Sequence, residues 1–300
     1  NQYTKALKPK DEKGYSRNKI AVIYASGNII EGEKDDNNIS SEVFARTIRK
    51  AREDSSIKAI VLRVNSGGGS ALASEIIWRE LDLARKVKPV IASMGDVAAS
   101  GGYYIVTPAD TIISSPVTLT GSIGVFGVYF NAKGFFNNKL GISADVEKTN
   151  RHADFGSPFR SLDANEKQIL QQVIDNVYET FITHVAEGRN MQKDAVDKIG
   201  EGRVWSGSNA KNIGLVDDFG GLNKAIEIAA EKAGIKQYRI VELPRLKSPI
   251  EQLITELSGE AKLQKIKQEL PYQFRYYYHL QNIIDSKGIM ARLPFDIEIY

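Results

Sequence analysis

Three hundred residues, 42% hydrophobic and 26% charged, describe an ordinary globular chain long enough for one large domain or two small ones. A formal net charge of +3 without a long basic run excludes an electrostatic footprint for nucleic acid, and zero cysteines exclude disulfides, thiol catalysis and cysteine-ligated zinc. No apolar run reaches the ~18–20 residues that span a bilayer.

The N-terminus, Asn1-Gln-Tyr-Thr-Lys5, has neither an initiator methionine nor a signal-peptide pattern, and reads as a cut inside a longer protein with any anchor or export signal upstream. Residues 1–18 are polar and lysine-rich, a linker. Lys19-Ile-Ala-Val-Ile-Tyr24 is a buried-strand pattern, and Ser40 stands where it can cap a helix carrying Phe44 and Ile48. A strand over 57–64, a glycine loop, a helix over 71–85 and a strand over 89–93 follow. This alternation predicts an α/β domain with a largely parallel inner sheet flanked by helices.

Further strands are expected at 111–114, 124–130 and 142–147, with a short helix over 131–139. Asp163 and Glu166 form a capping box for the longest helix, with apolar residues every four positions from Ile169 to Val185 and Gly188 as its stop. A helix over 222–233 and a strand over 238–243 close the recognisable region near residue 245. Residues 246–300 are amphipathic and aromatic, a helical/aromatic extension expected to pack on the domain or a neighbouring subunit.

One stretch organises the rest: Met94-Gly-Asp-Val-Ala-Ala-Ser100-Gly-Gly-Tyr-Tyr104. Small residues permit a sharp strand-to-helix turn, and a serine there meets the free N–H groups of a helix start. That is the placement of a serine nucleophile, and equally that of an N-cap serine. Val64-Asn-Ser-Gly-Gly-Gly-Ser70 is a second glycine-rich strand–helix junction, able to aim an N–H at a developing oxyanion, or to serve as a plain turn. A third segment, Val117-Thr-Leu-Thr-Gly-Ser-Ile-Gly-Val125, places Ser122 where it satisfies backbone groups or orients a base. Of three histidines, His152 lies in a polar loop, His184 on the long helix in a structural position, and His279 in the aromatic tail. No H-E-x-x-H occurs and a metal site has little support; no cofactor is expected.

In this order, with Gly202-Arg-Val-Trp-Ser-Gly207 and Ala210-Lys-Asn-Ile-Gly-Leu-Val-Asp217 downstream, the chain resembles the protease IV (signal peptide peptidase A) family from about Lys19 to Leu243. The resemblance implies a ClpP/crotonase-like fold over 19–245 and a serine endopeptidase that degrades cleaved signal peptides. It also implies Ser100 as nucleophile, Gly68 and Gly101 as oxyanion donors, and Ser122 hydrogen-bonded to a lysine base. It further implies a homo-oligomer such as a tetramer, at the bacterial inner membrane with the catalytic domain outside the cytoplasm.

Here the chain departs from the family pattern. In Arg151-His-Ala-Asp-Phe-Gly-Ser-Pro158, Ala153 stands where the lysine is expected. Double-length members split the dyad, with lysine from an N-terminal half and serine from a C-terminal half. This chain matches the latter, and alone it is expected to be inactive. Lys148 and His152 are local substitutes for the base. The alternatives are a crotonase-type acyl-CoA enzyme, a catalytically incomplete scaffold half, or a ClpP-type Ser-His-Asp protease.

Overall fold

The computed structural model describes residues 16–33, 38–244 and 289–292. Its main sheet begins with β1 (Lys19–Ser26), β4 (Ile57–Ser66) and β6 (Val90–Ala99), which pair in parallel in that order. β12 (Arg239–Leu243) extends the sheet beyond β1 in parallel. β6 carries both β7 (Thr111–Ser114) and β8 (Leu119–Gly121) along one edge, each parallel to it. β11 (Asp218–Phe219) adds to β7, while β10 (Val204–Ser206) closes on β8 as the antiparallel pair.

A sheet covered on both faces needs strands apolar on both, and β1 meets this with Ile20, Ala21, Val22 and Ile23 all fully buried. Alternate residues serve opposite layers. Ala21, Ile23 and Ala25 pack in a core with Phe44 and Ile48 of α1 (Ser41–Glu53) and Ile77 and Leu81 of α2 (Ala71–Arg85). On the other face lie Ile20 and Val22, with Ala225, Ile226 and Ala229 of the later helix over Leu222–Lys232.

β6 runs far beyond its expected apolar stretch. Val64 pairs with Met94 but Ser66 with Ala98, so β6 carries two more residues than β4 in that interval. The Asn65 side chain fills the irregularity, its Oδ1 accepting from the Val97 N–H at 3.1 Å. This bulge re-aims the strand end that leads into α3 (Gly101–Tyr104).

A second sheet has the order β3 (Ile39–Ser40), β2 (Ile29–Ile30), β5 (Gly68–Ser70), β13 (Ile289–Arg292) and β9 (Phe126–Gly127). Beyond it lie α4 (Lys133–Phe135), a π-helical turn over Phe136–Leu140, and the long α5 (Ala164–Arg189). α6 (Lys193–Ile199), α7 (Gly207–Asn212) and α8 (Leu222–Lys232) complete the described helices.

Several expectations need correction. Residues 142–147 form no strand; Ile142 and Val146 are 50% and 40% exposed, and β-branched residues without a neighbouring edge do not make a strand. The strand over 124–130 contracts to Phe126–Gly127, and the helix over 131–139 is split between α4 and the π turn. Ser40 occupies the N-cap of α1, but its hydroxyl donates to Gly32 O at 2.9 Å instead of capping. Gly188 does not stop α5, which ends at Asn190 in the left-handed conformation. Gly188 is instead a contact point, where an added Cβ would sit 2.1 Å from Thr107 O. Of the linker, residues 1–15 lie outside the described residues; of 246–300, Ile289–Arg292 is described, as a strand. His279 also lies outside them.

Candidate active site

Ser100 is the hinge between β6 and α3. Its backbone has φ 52° and ψ −118°, a conformation that costs a non-glycine residue on the order of 1–3 kcal/mol. The surroundings enforce it: Ala98, Ala99, Tyr103, Ile105 and Val106 are all fully buried, and the Ser100 N–H donates to Gly121 O at 2.8 Å. Among the described residues its Oγ has only a long contact, 3.4 Å, to Gly124 O. The first N–H groups of α3 have no intrahelical partner, and they form the positive end of the helix that starts at Ser100.

The glycine loop comes against this turn through missing side chains. A Cβ on Gly101 would lie 3.1 Å from Gly68 Cα, and one on Gly68, at φ 97°, would lie 2.7 Å from Gly101 N. Two backbones meet where neither tolerates a methyl group. The Gly68 N–H donates to Ser66 Oγ at 3.1 Å, within its own loop. Ser70 caps α2, its Oγ accepting from Ala73 N, and Ser74 Oγ donates back to Ser70 O at 2.8 Å.

Ser122 arrives by strand pairing. Gly121 is opposite Ala99 across β6–β8, which sets the next residue beside Ser100. Ser122 is also left-handed, at φ 48°, and 2% exposed; its N–H donates to Arg203 O at 2.7 Å. Thr118 and Thr120 tie β8 to β6 through hydroxyls donating to Gly95 O and Ala98 O, each at 2.7 Å. Asn65, Thr118 and Thr120 are positioning residues that the motifs alone do not single out. Their signal, a polar side chain inside an apolar strand or beside a glycine, is shared with many ordinary turns.

The structure thus brings Ser100, Gly68, Gly101 and Ser122 into one neighbourhood. The candidate local bases belong to other arrangements. Lys148 Nζ donates to Asp154 Oδ1 at 3.0 Å, and His152 Nδ1 lies 3.3 Å from Glu166 Oε1. Between them Arg160 bonds both Asp154 and Glu166, holding the Asp154 carboxyl well below its ordinary range and that of Glu166 down to about 2. His152, Asp163 and Glu166 are close enough together to share a cation, but the Arg160 guanidinium and the Asp163 N–H already engage both Glu166 oxygens. Ala153 is exposed on the same turn and offers no proton acceptor.

His184 is structural, as expected. It stacks on Trp78 with ring centroids 3.5 Å apart, and its Nε2 lies 3.1 Å from Glu75 Oε2. The Tyr104 hydroxyl donates to the same oxygen at 2.5 Å. Burial alone raises the Glu75 carboxyl, but these two hydrogen bonds outweigh it and hold the group below its ordinary value. The network clamps α3 between α2 and α5. One buried lysine, Lys88, has its ammonium disfavoured by burial, yet Nζ donates to Ala51 O, Asp54 O and Ile57 O. It precedes β6 while Ser100 follows it; Val90 to Ala98 alone runs alongside Ile60 to Ser66, roughly 20 Å of strand, too far for proton transfer.

A family model described as peptidase family S49 matches residues 82–236. Protease 4 of Salmonella typhi is 46% identical over 222 residues, covering 74% of this chain, and Protease 4 of Haemophilus influenzae 44% over 226 residues, covering 75%. The chloroplastic serine protease SPPA of Arabidopsis thaliana is 38% identical over 248 residues, 81% of this chain. In each case the chain spans 36% of the relative's length. A solved ClpP1 N165D mutant from Listeria monocytogenes aligns at 16% identity with a TM-score of 0.47, covering 68% of this chain and 94% of that one.

Proposed function

The chain belongs to peptidase family S49, and from that premise we propose that it supplies the nucleophile half of a serine–lysine endopeptidase. The observation that carries the reading is Ser100: a buried serine in a strained left-handed conformation, at a helix start, against a second glycine backbone. Ser100 Oγ attacks the peptide carbonyl carbon and gives its proton to a neutral lysine amine. The tetrahedral oxyanion accepts from the Gly101 N–H, and from the Gly68 N–H once the Ser66 hydroxyl yields it. Collapse expels the leaving amine, which takes the proton from the lysine. Water then attacks the acyl-enzyme, passing a proton through the lysine to Ser100.

The lysine comes from the N-terminal half of the same protein. A lysine serves as base only where burial or neighbouring cations keep it neutral, and an interface between two halves provides that dryness. Ser122 fixes its amine. The substrates are apolar remnants of cleaved signal peptides, and the working form is a homo-oligomer at the inner membrane, catalytic domain outward. No helix among the described residues is long and apolar enough to cross a membrane.

The test compares this chain with the longer natural protein, using a fluorophosphonate probe and a fluorogenic apolar peptide. Labelling and turnover in the longer protein alone, lost in Ser100→Ala, are expected. Equal turnover by this chain alone would overturn the split dyad, and activity surviving Ser100→Ala would overturn the nucleophile.

A further inference from the structure

Resting on the reading of Ser100 as nucleophile, we propose that Glu75 and Tyr104 are a positioning pair for the reaction, setting the direction in which the turn after Ser100 presents its hydroxyl and its N–H groups. α3 is a single turn, Gly101–Tyr104, too short to hold a direction through its own hydrogen bonds. Its first two residues are glycines, so only Tyr103 and Tyr104 have side chains to anchor it. The Tyr103 hydroxyl donates to Leu215 O at 2.8 Å, from a fully buried ring. That of Tyr104 donates to Glu75 Oε2 at 2.5 Å. The Tyr104 N–H donates to Ser100 O at 2.8 Å, so a rotation of Tyr104 passes directly to the peptide of the nucleophile.

Glu75 acts on this turn from α2, which meets it at both ends. Its neighbour Ser74 abuts the first residue, with Oγ 2.7 Å from where a Cβ on Gly101 would lie, and Glu75 bonds the last. The carboxylate is itself fixed. Burial opposes its charge, but the bonds from His184 and Tyr104 overcome that, so it is ionised and only accepts. His184 Nε2, 3.1 Å from the same Oε2, therefore carries the proton it donates. The imidazole stacks on Trp78, whose Nε1 donates to Thr107 Oγ1 at 2.9 Å, and that hydroxyl donates to Tyr104 O at 2.9 Å. The ring of contacts closes on the residue where it began.

Packing alone does not call for it. Tyr104 is 2% exposed against Phe181, with ring centroids 4.6 Å apart, and a phenylalanine would fill the same place. A carboxylate held among aromatic rings costs desolvation that an apolar contact avoids. What the short O–H···O⁻ bond adds is direction. A nucleophile and its oxyanion donor need direction most, since rates fall steeply when reacting groups shift by an ångström.

The experiment uses the longer natural protein and the fluorogenic apolar peptide, with active sites counted by the fluorophosphonate probe so that unfolded protein does not enter kcat. Tyr104→Phe is expected to lower kcat by about 10–100-fold with KM changed by no more than about twofold. Glu75→Ala should reproduce that loss. Glu75→Gln keeps an accepting oxygen for the hydroxyl and should hold kcat within about threefold of the parent. A parental kcat in Tyr104→Phe, a loss carried by KM, or Glu75→Gln no better than Glu75→Ala would each overturn the proposal.

A second measurement needs no turnover. Amide exchange of residues 100–106 in this chain should quicken about tenfold in Tyr104→Phe, while that of β4 stays as in the parent. Exchange and kcat both at parental values, with turnover lost in Ser100→Ala, would defeat this inference alone. Quickened exchange with turnover intact in Ser100→Ala would defeat the peptidase reading alone.

Discussion

Residues 94–123 and residues 128–163 sit next to each other in sequence and are held by different forces. In the first, Met94, Ala98, Ala99, Ser100, Tyr104, Ser122 and Ile123 are all at most 2% exposed, and two serines persist in left-handed conformations. In the second, Val128, Phe130, Phe135, Leu140 and Phe155 are 39–58% exposed, and order comes from the Asp154–Arg160–Glu166 ion network. Strain survives only where packing over-determines it. A nucleophile therefore belongs to the first region, while the turn where a local lysine would stand belongs to the second. The division of labour proposed above, between halves of a longer protein, has its physical counterpart here.

The sharpest way to break this contrast is to remove the strain. Ser100→Gly takes away both the Oγ and the left-handed penalty. In the complete protein it is expected to lower turnover by about 10³-fold or more, the scale of losing a nucleophile, while raising the stability of this chain by about 1 kcal/mol. Urea unfolding of the parent and variant checks the second part. An unchanged or lowered midpoint would mean that the conformation at Ser100 is not under strain.

Next in size is a test within α5, whose two halves repeat the contrast. Its C-terminal half buries Phe181, Ile182 and Val185, and Gly188 touches Thr107 O; its N-terminal half leaves Ile169 and Val173 each 41% exposed. Gly188→Ala raises helix propensity but drives a methyl to 2.1 Å from that carbonyl, so a loss of about 1–3 kcal/mol is expected at constant m-value. Ile169→Ala should cost no more than about 0.5 kcal/mol. A larger, concentration-dependent loss at Ile169 would place another chain over that stripe.

This helix also marks how far the sequence could be read. The Asp163–Glu166 capping box is present as the spacing implies, and α2 spans the expected residues, because caps and 3.6-residue periodicity are local properties. Gly188 as a stop failed because a glycine cleared for a neighbouring backbone has the same letter as a terminating one. The run over 142–147 failed because strand propensity does not supply a partner edge. Around the site, Ser100 and Ser122 stood out within glycine-rich motifs, Gly68 and Gly101 were singled out by the family resemblance, and the fold brings the four residues near one another. The bulge held by Asn65, and β13 beside β5, did not; both rest on pairings between distant segments that no local pattern encodes.

A smaller effect separates the regions by pH. Arg160, and then the Asp163 backbone, hold the Glu166 carboxyl at about 2 against its ordinary 4.5. A carboxyl depressed in the folded chain contributes stability that is complete above its unfolded pKa and lost as pH falls through the folded one. The network around 154–166 should thus weaken between about pH 4.5 and 2. Glu166→Gln is expected to flatten the fall of the unfolding midpoint across that window. An identical acid profile would show that the network contributes nothing to holding the segment.

The smallest expected effect is none, from Ala153→Lys. This restores a lysine at the position where the resemblance places one, and would create a base if the turn docked beside Ser100. The turn is anchored elsewhere: Asp154 is bound by Arg160 and Lys148, and Tyr129 donates to Ser157 O and Arg160 O. Ala153 itself is exposed, so a lysine there stands in water and stays a cation, unable to accept a proton from Ser100. Fluorophosphonate labelling of this chain should be the same with and without the substitution. Labelling raised to the level of the longer protein would mean that residues 128–163 close over the nucleophile, and the base would then need only one side chain, not a second half.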